Sequence, residues 1–287
     1  MSTYTTLIDC PELAALVQQG PTPLLLDCRF DLATPDSGEA AFAGGHLPGA
    51  QYLHLDRDLS GTKTGRNGRH PLPERDTLAV RLRALGLNQD QQVVVYDAQG
   101  GMFAARAWWL LRWLGHANVA VLDGGLPAWT AAGQGLQSAH SQPSPGNFGS
   151  REALVDTVDR AAVLANLQGH GPLVIVDARA PDRFRGENET LDARGGHIPG
   201  ARNRFFRDNL DADGRFKPAA ALHAEFSALL STHEAQQSVQ QCGSGVTACH
   251  NLLALEIAGL GGARLYPGSW SEWSSDPLAP IATGEPA

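Results

Sequence analysis

Short apolar runs alternate with amphipathic segments along most of the chain. Four runs have the nearly continuous apolar character of buried parallel strands: residues 23–29, 92–98, 172–179 and, less clearly, 237–242. Four segments carry apolar residues at helical spacing and end at or near glycine: residues 77–87, 102–115, 220–230 and 246–261. This alternation predicts an α/β fold, in which parallel sheets are flanked by helices.

The chain also repeats itself. Three stretches occur twice: LLLDCR (24–29) as VIVDAR (174–179), GGHLPGA (44–50) as GGHIPGA (195–201), and VLDGGLPAW (121–129) as LYPGSWSEW (265–273). The copies keep their order and nearly the same spacing, and the period is too long for a solenoid. We therefore predict two tandem domains, 1–137 and 152–287. The segment 138–151 between them is rich in Ser, Pro and Gly and is interpreted as a linker.

Charge and cysteine content narrow the possible functions. The formal net charge is −8 and no Lys/Arg-rich run occurs, so neither nucleic acid nor an anionic membrane is an expected partner. The first residues lack the basic and apolar regions of a secretory signal, and we expect a cytoplasmic protein. The four cysteines show no C-x-x-C spacing, which argues against zinc and against a disulfide framework.

One cysteine stands in an unusual place. Cys242 follows a predicted strand and precedes a loop of small residues that opens a predicted helix. Parallel sheets of this class bind ligands at the carboxyl ends of their strands. Small residues let successive main-chain N–H groups surround the sulfur, and the helix N-terminus adds a favourable dipole. Such a loop stabilises a thiolate and, equally, a persulfide anion. We therefore interpret Cys242 as a nucleophile.

The first copy carries a different residue at this position. VVVYDAQGG (93–101) aligns with SVQQCGSGV (238–246), so that Asp97 stands where the second copy has Cys242. We expect a single nucleophile, and hence a single active site, in each chain.

The tandem copies, the GHxPGA turns, GSWSEW and the CGSGVTA loop together resemble the two-domain rhodanese-type sulfurtransferases over nearly the whole chain. The resemblance implies two rhodanese-like domains and a cysteine that takes sulfur from a donor and holds it as a persulfide. The sulfur then passes to a thiophilic acceptor, which is cyanide, a small thiol or a thioredoxin-like protein. No metal or organic cofactor is implied. Cys242 is then the nucleophile, and its loop binds the anion through Gly243, Ser244, Gly245, Val246 and Thr247.

The loop also bears on the identity of the donor. Relatives that resemble thiosulfate sulfurtransferases carry Arg and Lys here, whereas those that resemble 3-mercaptopyruvate sulfurtransferases carry C-G-[ST]-G-V-T, as this chain does. Arg183 matches the substrate-binding arginine of the family and is placed to hold a carboxylate by two parallel hydrogen bonds, unless it forms a surface salt bridge. The stretch 187–196 is shorter than in mercaptopyruvate-type relatives, and Arg194 receives no role. Thiosulfate remains the alternative donor.

The resemblance implies one further group of residues. Asp56 and His70 match positions that lie close to the loop serine in such relatives. With Ser244 they would form an Asp–His–Ser hydrogen-bonded chain that polarises the donor ketone or stabilises the pyruvate enolate. The alternative is structural: Asp56 caps a turn and His70 is a buried interface histidine.

Three other functions remain as alternatives. A Cys-x5-Arg phosphatase needs arginine at position 248, where this chain has Ala248. A non-catalytic binding module would not need the cysteine loop. A redox pair would require the thiols of Cys242 and Cys249 to lie close together.

Overall fold

The computed structural model describes residues 3–139 and 142–285. Two residues of the predicted linker, His140 and Ser141, lie outside the described residues, as do the first two residues of the predicted first domain and the last two of the predicted second domain. The chain forms two compact units. The first contains the residues up to Gly61, Pro73–Leu154 and Ala212–Phe216, and the second contains the remainder.

The first unit is built on a five-stranded parallel sheet. Its strands are β1 (Leu7–Ile8), β2 (Leu24–Asp27), β3 (Gln51–Tyr52), β4 (Val93–Tyr96) and β5 (Val119–Leu122), in the spatial order β1-β5-β4-β2-β3. The register pairs Leu24 of β2 with Val93 of β4. Its helices are α1 (Cys10–Gln19), α2 (Ser37–Gly44), α3 (Arg75–Ala84), α4 (Ala104–Trp113) and α5 (Gly125–Ala131).

The central strands of this unit are apolar because both of their faces are covered. Every residue of β2, β4 and β5 is buried. On one face, Val94 and Ala120 join a core that contains Leu13 of α1 and Phe42 of α2. Helix α4 is buried over most of its length, which explains its predominantly apolar sequence.

The second unit repeats this plan. Its parallel strands are β6 (Val174–Asp177), β7 (Arg202–Asn203), β8 (Ser238–Gln241) and β9 (Arg264–Leu265), in the order β7-β6-β8-β9. Its helices are α6 (Arg160–Ala165), α7 (Pro181–Arg185), α8 (Ala219–Leu230), α9 (Ala248–Ile257) and α10 (Ser269–Trp273). The predicted fold class, two α/β repeats with parallel sheets flanked by helices, is confirmed.

Two segments refine the predicted division of the chain. Within the predicted linker, Phe148 is fully buried in the first unit and its N–H donates to Leu87 O at 3.1 Å. Residues 62–72 belong to the second unit although they lie in the middle of the first sequence repeat. They are held there by a hydrogen bond of 3.0 Å from Arg69 N to Ser271 Oγ. The boundaries 1–137, 138–151 and 152–287 stay a prediction.

Each helix within residues 3–139 and 142–285 is too short or too polar to cross a membrane.

Candidate active site

The sheet of the second unit delivers Cys242 to its carboxyl edge. Strand β8 lies between β6 and β9 and ends at Gln241, and helix α9 begins at Ala248. Cys242 is therefore the first residue of the loop that joins a central strand to the following helix. It is 2 % exposed. The sequence places Cys242 correctly at the strand–loop junction, because a short buried strand followed by a glycine-rich loop has few other ways to continue.

The N-terminal turn of α10 anchors the start of this loop. Ser269 Oγ accepts a hydrogen bond of 3.2 Å from Cys242 N, and Trp270 N donates to Cys242 O at 3.0 Å. Ser271 N donates to Gly243 O at 2.9 Å. These bonds fix the main chain at Cys242. They also explain why the GSWSEW motif accompanies the cysteine loop in the sequence.

Glycine is required within the loop. Gly245 has a φ of +76°, and a Cβ there would lie 2.5 Å from Pro267 O. A side chain at this position would be strained by its own backbone and would also collide with a carbonyl. The corresponding loop of the first unit has Gly100 with a φ of +73°. The two loops therefore share this left-handed glycine, although the next residue differs: Gly101 has a φ of +90°, whereas Val246 does not lie in the left-handed region.

The first loop shows what this turn binds. The Asp97 carboxylate accepts four main-chain hydrogen bonds of 2.8–3.0 Å, and it is 1 % exposed. The donors are the N–H groups of Gln99, Gly101, Phe103 and Ala104. The first loop is therefore an anion-binding cradle that is filled by its own aspartate.

The corresponding N–H groups of the second loop are mostly unpaired within the described residues. In the aligned repeat, Ser244, Val246 and Ala248 stand at the positions of the first three donors. None of the three N–H groups has a hydrogen-bond acceptor within the described residues. Cys249 N, the fourth, donates to Val246 O at 3.0 Å. Three unpaired donors in a buried loop favour an anion in the space that a carboxylate occupies in the first repeat.

The structure brings two members of the predicted Asp–His–Ser chain together. His70 Nδ1 and Ser244 Oγ are joined by a hydrogen bond of 2.7 Å, and both side chains are buried. The contact exists because residues 62–72 belong to the second unit. Asp56 belongs to the first unit, where its N–H donates to His54 Nδ1 at 3.1 Å. The place of Asp56 in the Asp–His–Ser hydrogen-bonded chain stays a prediction.

Two guanidinium groups lie over Gly243. A Cβ at this glycine would lie 2.8 Å from Arg69 Nη2 and 3.8 Å from both Nη atoms of Arg183. Arg183 was predicted from its motif, whereas Arg69 was missed. Its signal in the sequence is only its position next to His70, and neighbours in an extended segment commonly point in opposite directions. The folded position of residues 62–72 decides that Arg69 reaches the loop.

Two acids hold these arginines. Glu189 accepts from Arg183 Nε at 3.2 Å and from Nη2 at 2.8 Å, and Asp192 accepts from the same Nη2 at 3.4 Å. Asp192 also forms an ion pair with Arg69. Burial raises the pKa of Asp192, although both arginines oppose the rise. Burial would also raise the pKa of Glu189, but the hydrogen bonds from Arg183, Leu191 N and Asp192 N, together with the charge of Arg183, outweigh it and the pKa is lowered.

Two other residues considered in the sequence have structural partners. Arg194 donates through Nε to Ser274 O at 3.0 Å and ties its loop to the chain that follows α10. The thiol of Cys249 is fully buried and donates to Gly245 O at 3.3 Å. The described residues contain no group of three or more His, Cys, Asp or Glu side chains that could hold a metal ion.

Comparisons with known proteins identify the family. The family model described as "Rhodanese-like domain" matches residues 9–132 and 160–276. A "Probable 3-mercaptopyruvate sulfurtransferase" of Pseudomonas aeruginosa is 50% identical over 97% of this chain and 98% of the relative. A "Putative thiosulfate sulfurtransferase SseB" of Mycobacterium tuberculosis is 43% identical over 97% of each chain.

A solved structure gives the same assignment. The 3-mercaptopyruvate sulfurtransferase from Leishmania major superposes with a TM-score of 0.83 at 30% identity, over 94% of this chain and 74% of that one. The matches to the two sequence relatives cover almost the full length of each relative, and both repeats match the same family model. This chain therefore belongs to the rhodanese family and is a two-domain sulfurtransferase.

Proposed function

We propose that this enzyme transfers sulfane sulfur from 3-mercaptopyruvate, through a persulfide on Cys242, to a thiophilic acceptor. The observation that carries the proposal is the contrast between the loops. A carboxylate accepts four N–H groups in the first, whereas Ser244, Val246 and Ala248 keep unpaired N–H groups around a cysteine in the second. A non-catalytic module would have no need of such donors beside a thiol.

The chemistry proceeds in two displacements. The Cys242 thiolate attacks the sulfur of 3-mercaptopyruvate, an S–S bond forms, and the C–S bond breaks with its electron pair on the pyruvate enolate. The donor's thiol proton ends on the methyl carbon of pyruvate, and Cys242 keeps the sulfur as a persulfide anion. An acceptor thiolate or cyanide then attacks the outer sulfur, the S–S bond breaks, and the Cys242 thiolate is regenerated.

The loop geometry supports each stage. Persulfide formation moves the negative charge outward by one atom, and a cradle of several N–H groups accommodates both positions without rearrangement. The hydrogen-bonded Ser244 and His70 supply a polar group for the ketone oxygen as it becomes an enolate. Arg183 and Arg69 over Gly243 are suited to the donor carboxylate.

The choice of donor rests on the loop sequence and on the relatives. Loop residues 243–247 carry no cation, and the Pseudomonas aeruginosa relative is named for 3-mercaptopyruvate. Thiosulfate is the second candidate, because two guanidinium groups adjoin the loop and the Mycobacterium tuberculosis relative is named for thiosulfate. A small thiol or a thioredoxin-like protein as acceptor, and a cytoplasmic location, are part of the proposal. The four cysteines are free thiols, which is typical of proteins in a reducing compartment.

Intact-mass spectrometry tests the proposal directly. After incubation with 3-mercaptopyruvate and removal of small molecules, the wild-type chain should gain the mass of one sulfur atom, which cyanide should then remove. Cys242→Ser should gain nothing. Cys249→Ser is the matched control, because serine retains a donor for Gly245 O, and it should gain sulfur as the wild type does. Sulfur uptake by Cys242→Ser, or none by the wild type, would refute the persulfide.

A further inference from the structure

Four charged side chains lie together beside the cysteine loop, and the proposed function does not require all of them. One of them, Glu189, also contacts the buried Arg179, which is paired with Asp177. Arg69 and Arg183 are partly exposed, with 29% and 21% of their side-chain surface accessible. Glu189 and Asp192 lie behind them, with 4% and 5% accessible. A ligand would therefore contact the arginines first. The acids behind them determine how much of the positive charge is neutralised.

The two acids have different roles. Glu189 also accepts main-chain N–H bonds from Leu191 and Asp192, so its carboxylate shapes the loop that carries it. The carboxylate of Asp192 accepts hydrogen bonds from Arg69 and Arg183 and from no other residue in the described part of the chain. Its side chain therefore acts on the two arginines rather than on the backbone around it.

The charge of the set is balanced. Arg69 and Arg183 face the carboxylates of Glu189 and Asp192. The third guanidinium that contacts Glu189, that of Arg179, is itself paired with Asp177, so the formal charges of these six groups sum to zero. Arg69 Nη2 and Arg183 Nη1 have no hydrogen-bond acceptor among the described residues and are available to a single carboxylate. A second negative charge on the ligand would find no uncompensated cation, and it would be repelled by Asp192 from within a poorly solvated layer.

From this balance we infer that Asp192 determines donor specificity: it holds Arg69 and Arg183 over Gly243 and cancels one of their charges. The site then favours a donor with one negative charge, such as 3-mercaptopyruvate, over a dianion such as thiosulfate. The inference rests on the proposed function, because it concerns the donor of that reaction. It also gives a physical reason why a cysteine loop with two adjacent arginines is not a dianion site.

Asp192→Asn tests the inference through a ratio of donors. The substitution retains an acceptor for the arginines but removes the negative charge. We expect kcat/KM for thiosulfate, divided by kcat/KM for 3-mercaptopyruvate, to rise by about tenfold, since one unit charge at short range readily changes relative affinity by that factor. A purely structural role would lower both values together and leave the ratio unchanged. An unchanged or lower ratio overturns the inference.

Two further variants complete the test. Glu187→Gln removes the same charge from an exposed side chain paired with Arg185, and its ratio should equal that of the wild type. A ratio that rises as much as in Asp192→Asn would show a general charge effect and would overturn the inference. Arg69→Gln makes the set negative by one charge, so the ratio should fall several-fold. It decides the matter even if Asp192→Asn does not fold, because an unchanged or higher ratio contradicts the charge balance.

The wild-type control separates the two hypotheses. If the wild type forms no persulfide with 3-mercaptopyruvate, the proposed function fails and this inference fails with it. If the wild type forms the persulfide but the ratio does not respond to charge, only the inference fails.

Discussion

The loops at Asp97 and Cys242 share a left-handed glycine and differ in chemistry. Each follows a buried central strand, contains a glycine near φ +75° at the same position and leads into a helix. The first binds its own carboxylate, which is held permanently by covalent attachment, whereas Ser244, Val246 and Ala248 of the second keep unpaired N–H groups. Under the proposed function, the catalytic loop and the structural loop differ in whether the anion can leave.

Making the second loop like the first should have the largest effect. Cys242→Asp supplies a carboxylate to the unpaired N–H groups, so we expect the free energy of unfolding to stay within about 1 kcal/mol of the wild type or to rise. Sulfur transfer should fall by on the order of 10⁴-fold or more, as it does when a nucleophile is removed. Steady-state assays and chemical denaturation measure both quantities. Residual turnover near the wild-type rate would mean that the nucleophile lies elsewhere.

Emptying the first loop should affect stability instead. Asp97→Ala leaves three buried N–H groups and one partly buried N–H group without an acceptor, and we expect the first unit to lose about 3 kcal/mol or more in its free energy of unfolding. Thermal denaturation monitors the loss. The Cys242 persulfide should still form in the folded fraction. A variant as stable as the wild type would show that the cradle does not need an anion.

Gly245→Ala tests whether the turn itself matters to catalysis. The new Cβ would lie 2.5 Å from Pro267 O, so the loop must move, and we expect kcat/KM to fall by about 10–100-fold. The matched control is Gly259→Ala, which has a similar φ of +73° but no atom within 4 Å of its Cβ position. The control should lose about 1 kcal/mol of stability and little activity. Equal losses of activity in the two variants would mean that backbone strain alone, and not the collision with Pro267 O, causes the effect.

The smallest effect is expected at Gly243. The first loop has Ala98 at this position, and Gly243→Ala copies it. The added Cβ would lie 2.8 Å from Arg69 Nη2, the mobile end of a long side chain, which can shift at little cost in stability. We expect KM for 3-mercaptopyruvate to rise about threefold to tenfold with kcat nearly unchanged, because a displaced guanidinium weakens one charge-assisted hydrogen bond. An unchanged KM would show that Arg69 does not contribute to donor binding.

Much of the molecule follows from local sequence. The apolar runs specify buried parallel strands, and helices occur at all four segments where the spacing predicts them. Cys242 and its glycine loop are recognisable because chain order alone brings a strand, a turn and a helix together. The repeat likewise reveals Asp97 as the counterpart of the cysteine, since equal spacing in two copies implies equal position in two sheets.

The remaining features depend on contacts between residues distant in the chain. His70 meets Ser244, and Arg69 meets Asp192, only because residues 62–72 belong to the second unit. No local pattern encodes that exchange, since it depends on hydrogen bonds between residues far apart along the chain. The sequence by itself determined the two α/β repeats and the position of Cys242 between a central strand and a helix. The tertiary structure alone decided which charges surround the cysteine loop, because electrostatic interactions depend on distance in space and not on separation along the chain.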